Sequence, residues 1–179
     1  LNDSHERRLG EKLRAALPGI PVFLSCEVLP EVREFERTST TAVCAYVGPI
    51  LESYLTQLET AVTGLGLPNL HIMGSTGGVF DVKEALRIPV NSIESGPAAG
   101  VIAAQLIGLQ INEPDLISFD MGGTTAKASL IERGQYSRAV EYSVGGGIMS
   151  ASRLLTGSGY RLKVPAIDLA EVGAGGGSI

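Results

Sequence analysis

Cysteine and histidine, the residues that build zinc clusters and disulfide scaffolds, are scarce in this sequence. The two cysteines, Cys26 and Cys44, are not in a CxxC spacing, and the two histidines, His5 and His71, lie far from them and from each other. Structural zinc sites and disulfide frameworks need closely spaced or more numerous ligands. The sequence therefore argues against both, and it predicts that the two thiols are inert core residues.

Long apolar runs and clusters of basic residues are also missing. No apolar stretch approaches the roughly 18 residues of a membrane span, and the polar start LNDSHERRLGEK lacks the pattern of a signal peptide. Fourteen Lys and Arg against nineteen Asp and Glu give a net charge of -5, without a basic run that would follow a phosphate backbone. We therefore predict a cytoplasmic protein that binds neither membrane nor nucleic acid.

Two common catalytic motifs are absent as well. The sequence contains no GxxxxGK[ST], which excludes a P-loop enzyme on motif grounds. It contains no GxSxG, and its histidines lie in a charged helical segment and in the apolar run LHIM. A hydrolytic triad is therefore not indicated.

Glycine, in contrast, is abundant and clustered. The chain has 23 glycines in 179 residues, well above the average share of about 7%. This length, with 44% hydrophobic residues, suits one compact domain or two small lobes. Because the sequence starts at Leu1 rather than Met and stops within the glycine-rich GAGGGSI, we expect it to be a piece of a longer protein.

Apolar residues at helical spacing predict four helices, over residues 5–17, about 43–62, 81–86 and about 95–109. The polar segment before the second helix offers Thr38, Ser39 and Thr40 as N-cap side chains. Pro49 falls inside that helix, which indicates either a kink there or a start at the proline. Pro97 suits the first position of the last helix.

Short apolar runs bounded by turn residues predict strands. The predicted strands cover residues 20–25, 70–73, 115–120, 126–131, 136–144 and 166–172. The third, fourth and fifth of these are joined by short turns. We expect them to form a β-meander that follows the last helix.

The sharpest chemical signal is the heptapeptide FDMGGTT, in which an acid at the end of an apolar strand precedes a glycine turn. A phosphate needs close backbone approach and several N–H donors, which Gly122 and Gly123 allow, and Thr124 and Thr125 add hydroxyl groups. Asp120 would hold hydrated Mg²⁺ beside the phosphates. The alternative is a hairpin turn without a ligand.

Two further glycine clusters follow predicted strands. They are GSTGG at residues 74–78 and GAGGGS at residues 173–178. Each is either an ordinary turn or a contact for the sugar, base or phosphate of a nucleotide. The second nearly matches the dinucleotide fingerprint GxGxxG, with Ser178 in place of the third glycine.

Five motifs in order now carry a resemblance to a known family. They are LSCEVLPEVREFERTSTTAVCAY, the SxGG turn that starts at Ser75, SGPAAGV from Ser95, FDMGGTT and the terminal VGAGGGSI. Through nearly its whole length the chain resembles the hydantoinase A / 5-oxoprolinase family. That family also includes the ATP-binding subunits of acetone carboxylase-like enzymes.

The resemblance implies an α/β fold of the actin and sugar-kinase type, a ribonuclease H-like ATPase in which nucleotide binds between two lobes. Each lobe is expected to contain a mixed sheet flanked by helices. Residues 1–110 would form the helix-rich end of the first lobe and a crossover helix. Residues 111–179 would begin the second lobe and carry its phosphate-binding hairpin.

The implied activity is ATP- and Mg²⁺-dependent hydrolysis of a cyclic amide, such as a hydantoin or 5-oxoproline, activated by phosphorylation. Asp120 is the implied catalytic and metal-binding residue. The implied nucleotide-binding residues are Gly122, Gly123, Thr124, Thr125, Gly175, Gly176 and Gly177. A first DxGGT-type phosphate loop does not occur in the chain, so we expect these residues alone to be inactive, because phosphoryl transfer needs charge neutralisation from both sides.

Other functions stay open at this point. One is the ATP-binding subunit of a ketone carboxylase, and another is a non-catalytic nucleotide-binding or assembly module that meets a partner subunit of a hetero-oligomer. A sugar kinase is less favoured because no motif supplies its carboxylate base.

The chain departs from many relatives after the GGT turn. Those relatives have Ser-Thr-Asp there, whereas this chain has Thr125, Ala126 and Lys127. Strand alternation would let Lys127 reach a phosphate or an acidic product, or point to solvent. No role is assigned to it from the sequence.

Overall fold

The computed structural model describes residues 2–144 and 160–178, which form two compact units. The first unit contains the described residues up to 72 together with residues 79–90. The second contains residues 73–78 and the described residues from 91 onward. The prediction of a boundary between lobes at residues 110 and 111 stays a prediction.

The first unit is helical. Its helices are α1 (Ser4–Ala16), α2 (Ser25–Val28), α3 (Glu34–Gly64) and α4 (Val82–Arg87). The predicted helices over residues 5–17 and 81–86 are confirmed. The Asp81 carboxylate caps α4 by accepting a hydrogen bond from the backbone N–H of Glu84 at 2.7 Å. No helix in the described parts of the chain is long and apolar enough to cross a membrane.

Helix α3 is longer than the sequence predicts. Its 31 residues begin at Glu34 and continue through Pro49, so a start at the proline is wrong. The predicted N-cap is also wrong, because Thr38, Ser39 and Thr40 lie inside the helix. Glutamates at positions 34 and 36 occupy the first turn, where the helix dipole favours negative charge, and this early start explains the misplaced cap.

The predicted strand over residues 20–25 is wrong. Residues 21–24 are irregular, and α2 begins at Ser25. Phe23 and Leu24 do not join a sheet. They pack against glycines of two helices, Phe23 at Gly48 of α3 and Leu24 at Gly10 of α1. A Cβ at Gly48 would lie 2.6 Å from the Phe23 ring, and one at Gly10 would lie 2.8 Å from Leu24.

Strands dominate the second unit, apart from one helix. The pair β1 (His71–Met73) and β2 (Val79–Asp81) belongs to the first unit except for Met73. The strands of the second unit are β3 (Leu116–Met121), β4 (Ala126–Glu132), β5 (Gln135–Tyr136), β6 (Arg138–Ala139), β7 (Tyr142–Val144), β8 (Tyr160–Leu162), β9 (Ala166–Ile167) and β10 (Ala170–Val172). The helix is α5 (Ser95–Gln110), as predicted, with Pro97 at its third position rather than its first. The predicted strands at residues 70–73, 115–120 and 126–131 are confirmed.

The main sheet of the second unit has the order β10-β4-β3, with β5 also paired to β4. Among the described residues, the pairs β3–β4, β4–β5, β4–β10, β6–β9 and β7–β8 are all antiparallel. The mixed sheet that we expected is therefore not seen in these pairs. Helix α5 packs on this sheet and on β9 through a core of Ala98, Val101, Ile131 and Ile167. The unit is therefore a mixed α/β arrangement.

Two predicted strands are each divided. Residues 136–144 contribute to β5, β6 and β7, which belong to three different sheets, and residues 166–172 form β9 and β10. The division in the second case lies at Asp168. Its N–H donates to the carbonyl of Ser137, and its carbonyl accepts from the Ser129 hydroxyl at 2.7 Å. These bonds turn the chain from one sheet to the next, which the apolar pattern does not reveal.

Both cysteines are free and buried. Burial raises the pKa of the Cys44 thiol, and burial together with the Glu6 carboxylate raises that of Cys26. The neutral thiol is therefore favoured at both positions, and a thiolate, the form that binds metal or attacks electrophiles, is disfavoured.

Candidate functional site

The turn between β3 and β4 is tight and projects from the sheet. Asp120 pairs with Lys127 and Met121 with Ala126 at the end of the ladder, and the Gly122 N–H donates to the Thr125 carbonyl at 2.9 Å. The next two residues, Gly123 and Thr124, are exposed. Within residues 2–144 and 160–178, no backbone acceptor pairs with their N–H groups. Two amides at the tip of the turn are thus available to an anion.

The second glycine cluster, residues 173–178, lies directly against this turn. The N–H of Gly176 donates to the carbonyl of Gly122, and that of Gly177 donates to the carbonyl of Gly123, both at 2.9 Å. Strand β10 brings the cluster there because it pairs with β4 up to Val172. The structure therefore joins two motifs that the sequence separates by about fifty residues.

This contact requires glycine at one position above all. A Cβ at Gly175 would lie 2.5 Å from the carbonyl oxygen of Gly122 and 2.6 Å from the backbone nitrogen of Thr124. Real Cβ atoms do not approach backbone so closely, and backbone cannot move aside as a flexible side chain does. At Gly176 the nearest atom would be 3.8 Å away. The glycines of the second cluster therefore serve, at least in part, to pack backbone on backbone.

The predicted site residues consequently lie together. Asp120 precedes the turn, residues 122–125 form it, and residues 175–177 pack against it. The amides of Gly176 and Gly177 have carbonyl partners and that of Gly175 has the Ser178 hydroxyl, whereas those of Gly123 and Thr124 have no backbone partner among the described residues. The roles of all these residues toward a ligand stay a prediction.

The Lys127 side chain is largely shielded from solvent, and whether it reaches a phosphate stays a prediction. It is 13% exposed and forms ion pairs with Glu94 and, at 3.8 Å, with Glu171. Glu94 is the N-cap of α5 and has a left-handed backbone with φ of 63°. Sequence analysis missed both glutamates, because the pairing of Glu171 with Lys127 depends on a strand register that no local motif encodes.

A cavity of about 210 Å³ lies beside Asp120 and Lys127. The first half of α5 forms one wall, where small residues such as Gly100 and Ala104 leave space, and β3 forms another. Its polar lining groups include Ser118 and the two charged side chains. The cavity gives Asp120 room on the face of the sheet that α5 covers.

The GSTGG cluster has a different environment. Ser75 is 2% exposed, its hydroxyl donates to the Pro165 carbonyl at 3.0 Å, and its carbonyl accepts from the N–H of Ile167 at 2.8 Å. Gly77 has a φ of 85° and lies under Ile102. This turn is therefore packed and hydrogen bonded within the second unit, as an ordinary structural turn would be.

Asp120 is a suitable, solitary ligand for a hydrated divalent cation. Its side chain is exposed and has no hydrogen bond or ion pair to a described residue, whereas Glu94 and Glu171 are paired with Lys127. The described residues contain no cluster of three His, Cys, Asp or Glu side chains. A closed protein cage is thus not available in this part of the molecule. Mg²⁺ does not require one, because it keeps several waters and takes one or two carboxylates beside substrate phosphates.

Comparison with known proteins now identifies the family. The Hydantoinase/oxoprolinase family model matches residues 37–179. The chain belongs to the hydantoinase/oxoprolinase family. The resemblance inferred from the five sequence motifs is therefore confirmed.

Relatives within the family span several chemistries. The chain is 43% identical over 179 residues to the uncharacterized protein MJ0964 of Methanocaldococcus jannaschii, covering 99% of this chain and 26% of that protein. It is 36% identical over 183 residues to the caprolactamase subunit alpha of Pseudomonas jessenii, covering 99% and 24%. It is 34% identical over 171 residues to 5-oxoprolinase 1 of Arabidopsis thaliana, covering 94% and 12%.

Solved structures agree with these sequence matches. A nucleotide-free acetone carboxylase structure, described in connection with ATP-dependent acetone carboxylation, superposes with a TM-score of 0.76 at 26% identity, covering 97% of this chain and 23% of that one. The ATP-dependent caprolactamase of Pseudomonas jessenii gives 0.71 at 32% identity, covering 98% and 24%. The chain thus spans about a quarter, or less, of these hydantoinase/oxoprolinase relatives.

Proposed function

We propose that this chain contributes one half of a Mg-ATP site to an enzyme that activates a cyclic amide of the hydantoin or 5-oxoproline type by phosphorylation. The observation that carries the proposal is the pair of amides at Gly123 and Thr124, which have no backbone partner among the described residues, beside the exposed Asp120 carboxylate. Relatives named caprolactamase and 5-oxoprolinase support the substrate class. Caprolactamase is described as ATP-dependent, which supports the nucleotide.

The proposed fold is the second-lobe start of an actin-like, ribonuclease H-like ATPase. The order of elements supports it, since α5 leads directly into the antiparallel β3–β4 hairpin that carries the acid and the glycine turn. In this proposal residues 1–110 complete the first lobe and supply the crossover helix, and residues 111–179 start the second. The remaining phosphate loop belongs to sequence outside these residues.

Each group of the site has a distinct task in this proposal. The amides of Gly123 and Thr124, with the hydroxyls of Thr124 and Thr125, donate hydrogen bonds to phosphate oxygens. Bound Mg²⁺ would neutralise charge on the phosphates, and Asp120 would hold it through its water shell. Gly175, Gly176 and Gly177 support the first turn from behind and contribute nucleotide contacts where their backbone is exposed.

The proposed reaction transfers the γ-phosphoryl group to the amide oxygen. The O–P bond forms as the bond to ADP breaks, and the amide carbon becomes open to attack by water. Once water has added, the ring C–N bond breaks as its nitrogen takes a proton, and a second water cleaves the resulting acyl phosphate to a carboxylate and free phosphate. Because phosphoryl transfer depends mostly on positioning and charge neutralisation, the contribution of this turn would be to place hydrogen-bond donors beside the phosphates.

A second candidate function is the ATP-binding subunit of a ketone carboxylase. The superposition on acetone carboxylase favours it, and the chain is 28% identical to the acetone carboxylase beta subunit of Xanthobacter autotrophicus. The same turn would then serve phosphorylation before carboxylation. Names of relatives that include a subunit designation support a hetero-oligomeric enzyme in either case.

The decisive experiment measures substrate-dependent ATP hydrolysis by the full-length protein with hydantoin, 5-oxoproline, caprolactam, and acetone with and without bicarbonate. Asp120→Asn should lower the stimulated rate about 100-fold or more, as removal of other preorganised electrostatic groups does. Asp168→Asn is the matched control, because Asp168 is an exposed acid of the same unit. Unchanged turnover in Asp120→Asn would remove the carboxylate from the reaction, and dependence on bicarbonate would favour the carboxylase.

A further inference from the structure

Lys127 lies on the central strand of the main sheet, at the end that carries the turn of residues 122–125. β4 is flanked by β3 and β10, and Lys127 has Asp120 as its neighbour on one strand and Glu171 on the other. Its ammonium group is largely shielded from solvent. The lysine is therefore a cation placed between acidic residues. Neither the glycine turn nor the hydrophobic core needs a charged side chain at this position.

Glu94 reaches the same ammonium group from α5. As N-cap residue its carbonyl accepts the first helical hydrogen bond, from the N–H of Ala98 at 3.1 Å, but its side chain caps no amide of the helix. The left-handed backbone at this position is uncommon for a residue other than glycine, asparagine or aspartate. In this conformation the Glu94 side chain forms an ion pair with Lys127 and does not cap its own helix.

The third member, Glu171, connects the group to the second glycine cluster. Only Val172 separates it from Gly173, the first residue of that cluster. On the other side, Asp120 is separated from Gly122 only by Met121. A displacement of either strand at the Lys127 row would therefore be passed directly to a glycine turn, because both turns are short and are joined by backbone hydrogen bonds.

We propose that Lys127 is a positioning residue, whose ion pairs to Glu94 and Glu171 hold α5, β4 and β10 together and thereby fix the two glycine turns in register. Without its charge, Glu94 and Glu171 would lose the ammonium group that both pair with, next to the Asp120 carboxylate on β3. Their repulsion would separate β10 from β4 and loosen the contact of Gly176 and Gly177 with the first turn. The effect on nucleotide binding rests on the proposed function, but the effect on the turns does not.

The test uses three variants of the full-length protein. Lys127→Met removes the charge at similar length, Lys127→Arg retains it, and Glu171→Gln removes one partner while keeping the lysine. Lys83→Met is the matched control, because Lys83 is exposed on α4 in the other unit. Two readouts are collected for each variant: hydrogen exchange of the peptides that contain residues 120–127 and 170–178, and the Kd of Mg-ATP by calorimetry.

Lys127→Met should speed exchange in both turns about tenfold while α5 peptides around Val101 exchange as in the parent. It should also raise the Kd of Mg-ATP about tenfold, the lower end of what removal of an orienting partner costs at a ligand site. Lys127→Arg should restore both, and Glu171→Gln should affect residues 170–178 more than 120–127. A double variant of Lys127→Met and Glu171→Gln should be no worse than Lys127→Met.

Unchanged exchange in both turns of Lys127→Met would overturn the positioning role, and so would a uniform increase that includes α5, since that is the mark of general destabilisation. If Lys127→Met prevents folding, Glu171→Gln decides, and unaltered exchange at residues 170–178 would count against the proposal. Failure of the parent protein to bind Mg-ATP would instead overturn the proposed function, while the exchange data still decide the role of Lys127.

Discussion

Two glycine turns of similar composition have opposite environments in this protein. In the first, residues 74–78, a serine is buried and hydrogen bonded to β9 and to the residue before it, and a glycine lies beneath an isoleucine. In the second, residues 122–125, the tip is exposed and two amides have no backbone partner among the described residues. Both turns follow a strand, and both appear in the sequence as candidate phosphate loops.

The contrast shows that glycine content alone does not identify an anion site. Glycine permits a left-handed backbone or a close approach, and either need arises in packing as often as in binding. The two turns differ in burial and in the share of their N–H groups that already has a partner. Gly74, Ser75 and Gly77 donate to the carbonyls of Gly78, Asn91 and Gly74, so an anion there would have to displace those partners. At the exposed tip of the other turn, no described backbone carbonyl accepts from Gly123 or Thr124.

The largest effect on stability should come from the packed turn. Gly77→Ala places a Cβ 2.1 Å from Ile102 Cδ1 in a left-handed backbone with φ of 85°. Strain and overpacking together should lower the free energy of unfolding by about 2–4 kcal/mol. Chemical denaturation measures the loss. Folded Gly77→Ala protein should keep its Mg-ATP affinity, and a loss of affinity beyond the loss of folded protein would assign a binding role to this turn as well.

The next effect concerns the support of the exposed turn. Gly175→Ala forces a Cβ against the backbone of Gly122 and Thr124, and should cost about 1–3 kcal/mol of unfolding free energy. It should also weaken Mg-ATP binding, because the turn must move. Gly176→Ala is the control, since its Cβ would meet nothing closer than 3.8 Å. Equal stability of the two variants would mean that the contact between residues 122–125 and residues 173–178 does not contribute to stability.

A smaller effect distinguishes the packed turn, residues 74–78, from the glycine cluster at residues 173–178 through their serines. The Ser75 hydroxyl is buried and bonded to the Pro165 carbonyl, so Ser75→Ala leaves that oxygen unpaired and should cost about 1–2 kcal/mol. The Ser178 hydroxyl accepts from the Gly175 N–H at 3.0 Å in an exposed position. Ser178→Ala should cost less than about 0.5 kcal/mol, because water replaces the partner. Thermal unfolding of both variants gives the comparison, and a reversed order would contradict the burial argument.

The sequence predicted α1, α4, α5 and the chemically important hairpin well, for physical reasons. Helix α5 and strands β3 and β4 have strong apolar patterns, and FDMGGTT combines an acid with the residues that a tight turn needs. Family membership followed from five ordered motifs and is confirmed by the family model. These signals are local, so they can be recognised in a single sequence.

The errors arose where tertiary contacts decide the outcome. Residues 20–24 have the composition of a strand, but Phe23 and Leu24 fill the spaces left by glycines in α3 and α1. Residues 166–172 have the composition of one strand, but bonds at Asp168 divide it. The partners of Lys127 could not be predicted because they depend on strand register and on the start of α5. Long-range contacts of this kind leave no periodic trace in the sequence.

A further small effect is acid sensitivity, and it belongs to neither turn. Burial alone would raise the pKa of Glu6, but hydrogen bonds from Ser25 and Cys26 outweigh it and hold this pKa below its ordinary value. The Glu6 carboxylate accepts from the Ser25 N–H at 2.5 Å and pairs with Arg37 at 3.3 Å. A lowered folded-state pKa contributes stability above the unfolded value of about 4.3, and that stability is lost as the pH falls through the folded value.

Glu6→Gln should therefore reduce the acid dependence of unfolding below about pH 4.3. The change should amount to less than about 1 kcal/mol, because nearly a third of the side chain meets solvent and screening weakens the ion pair. Chemical denaturation at pH values between 3 and 7, about one unit apart, gives the slope of unfolding free energy against pH for the parent and the variant. Mg-ATP affinity at neutral pH should not change. A variant whose slope matches that of the parent would show that other carboxylates govern acid unfolding. Either outcome leaves the comparison of the two glycine turns unchanged, because Glu6 belongs to the first unit and both turns belong to the second.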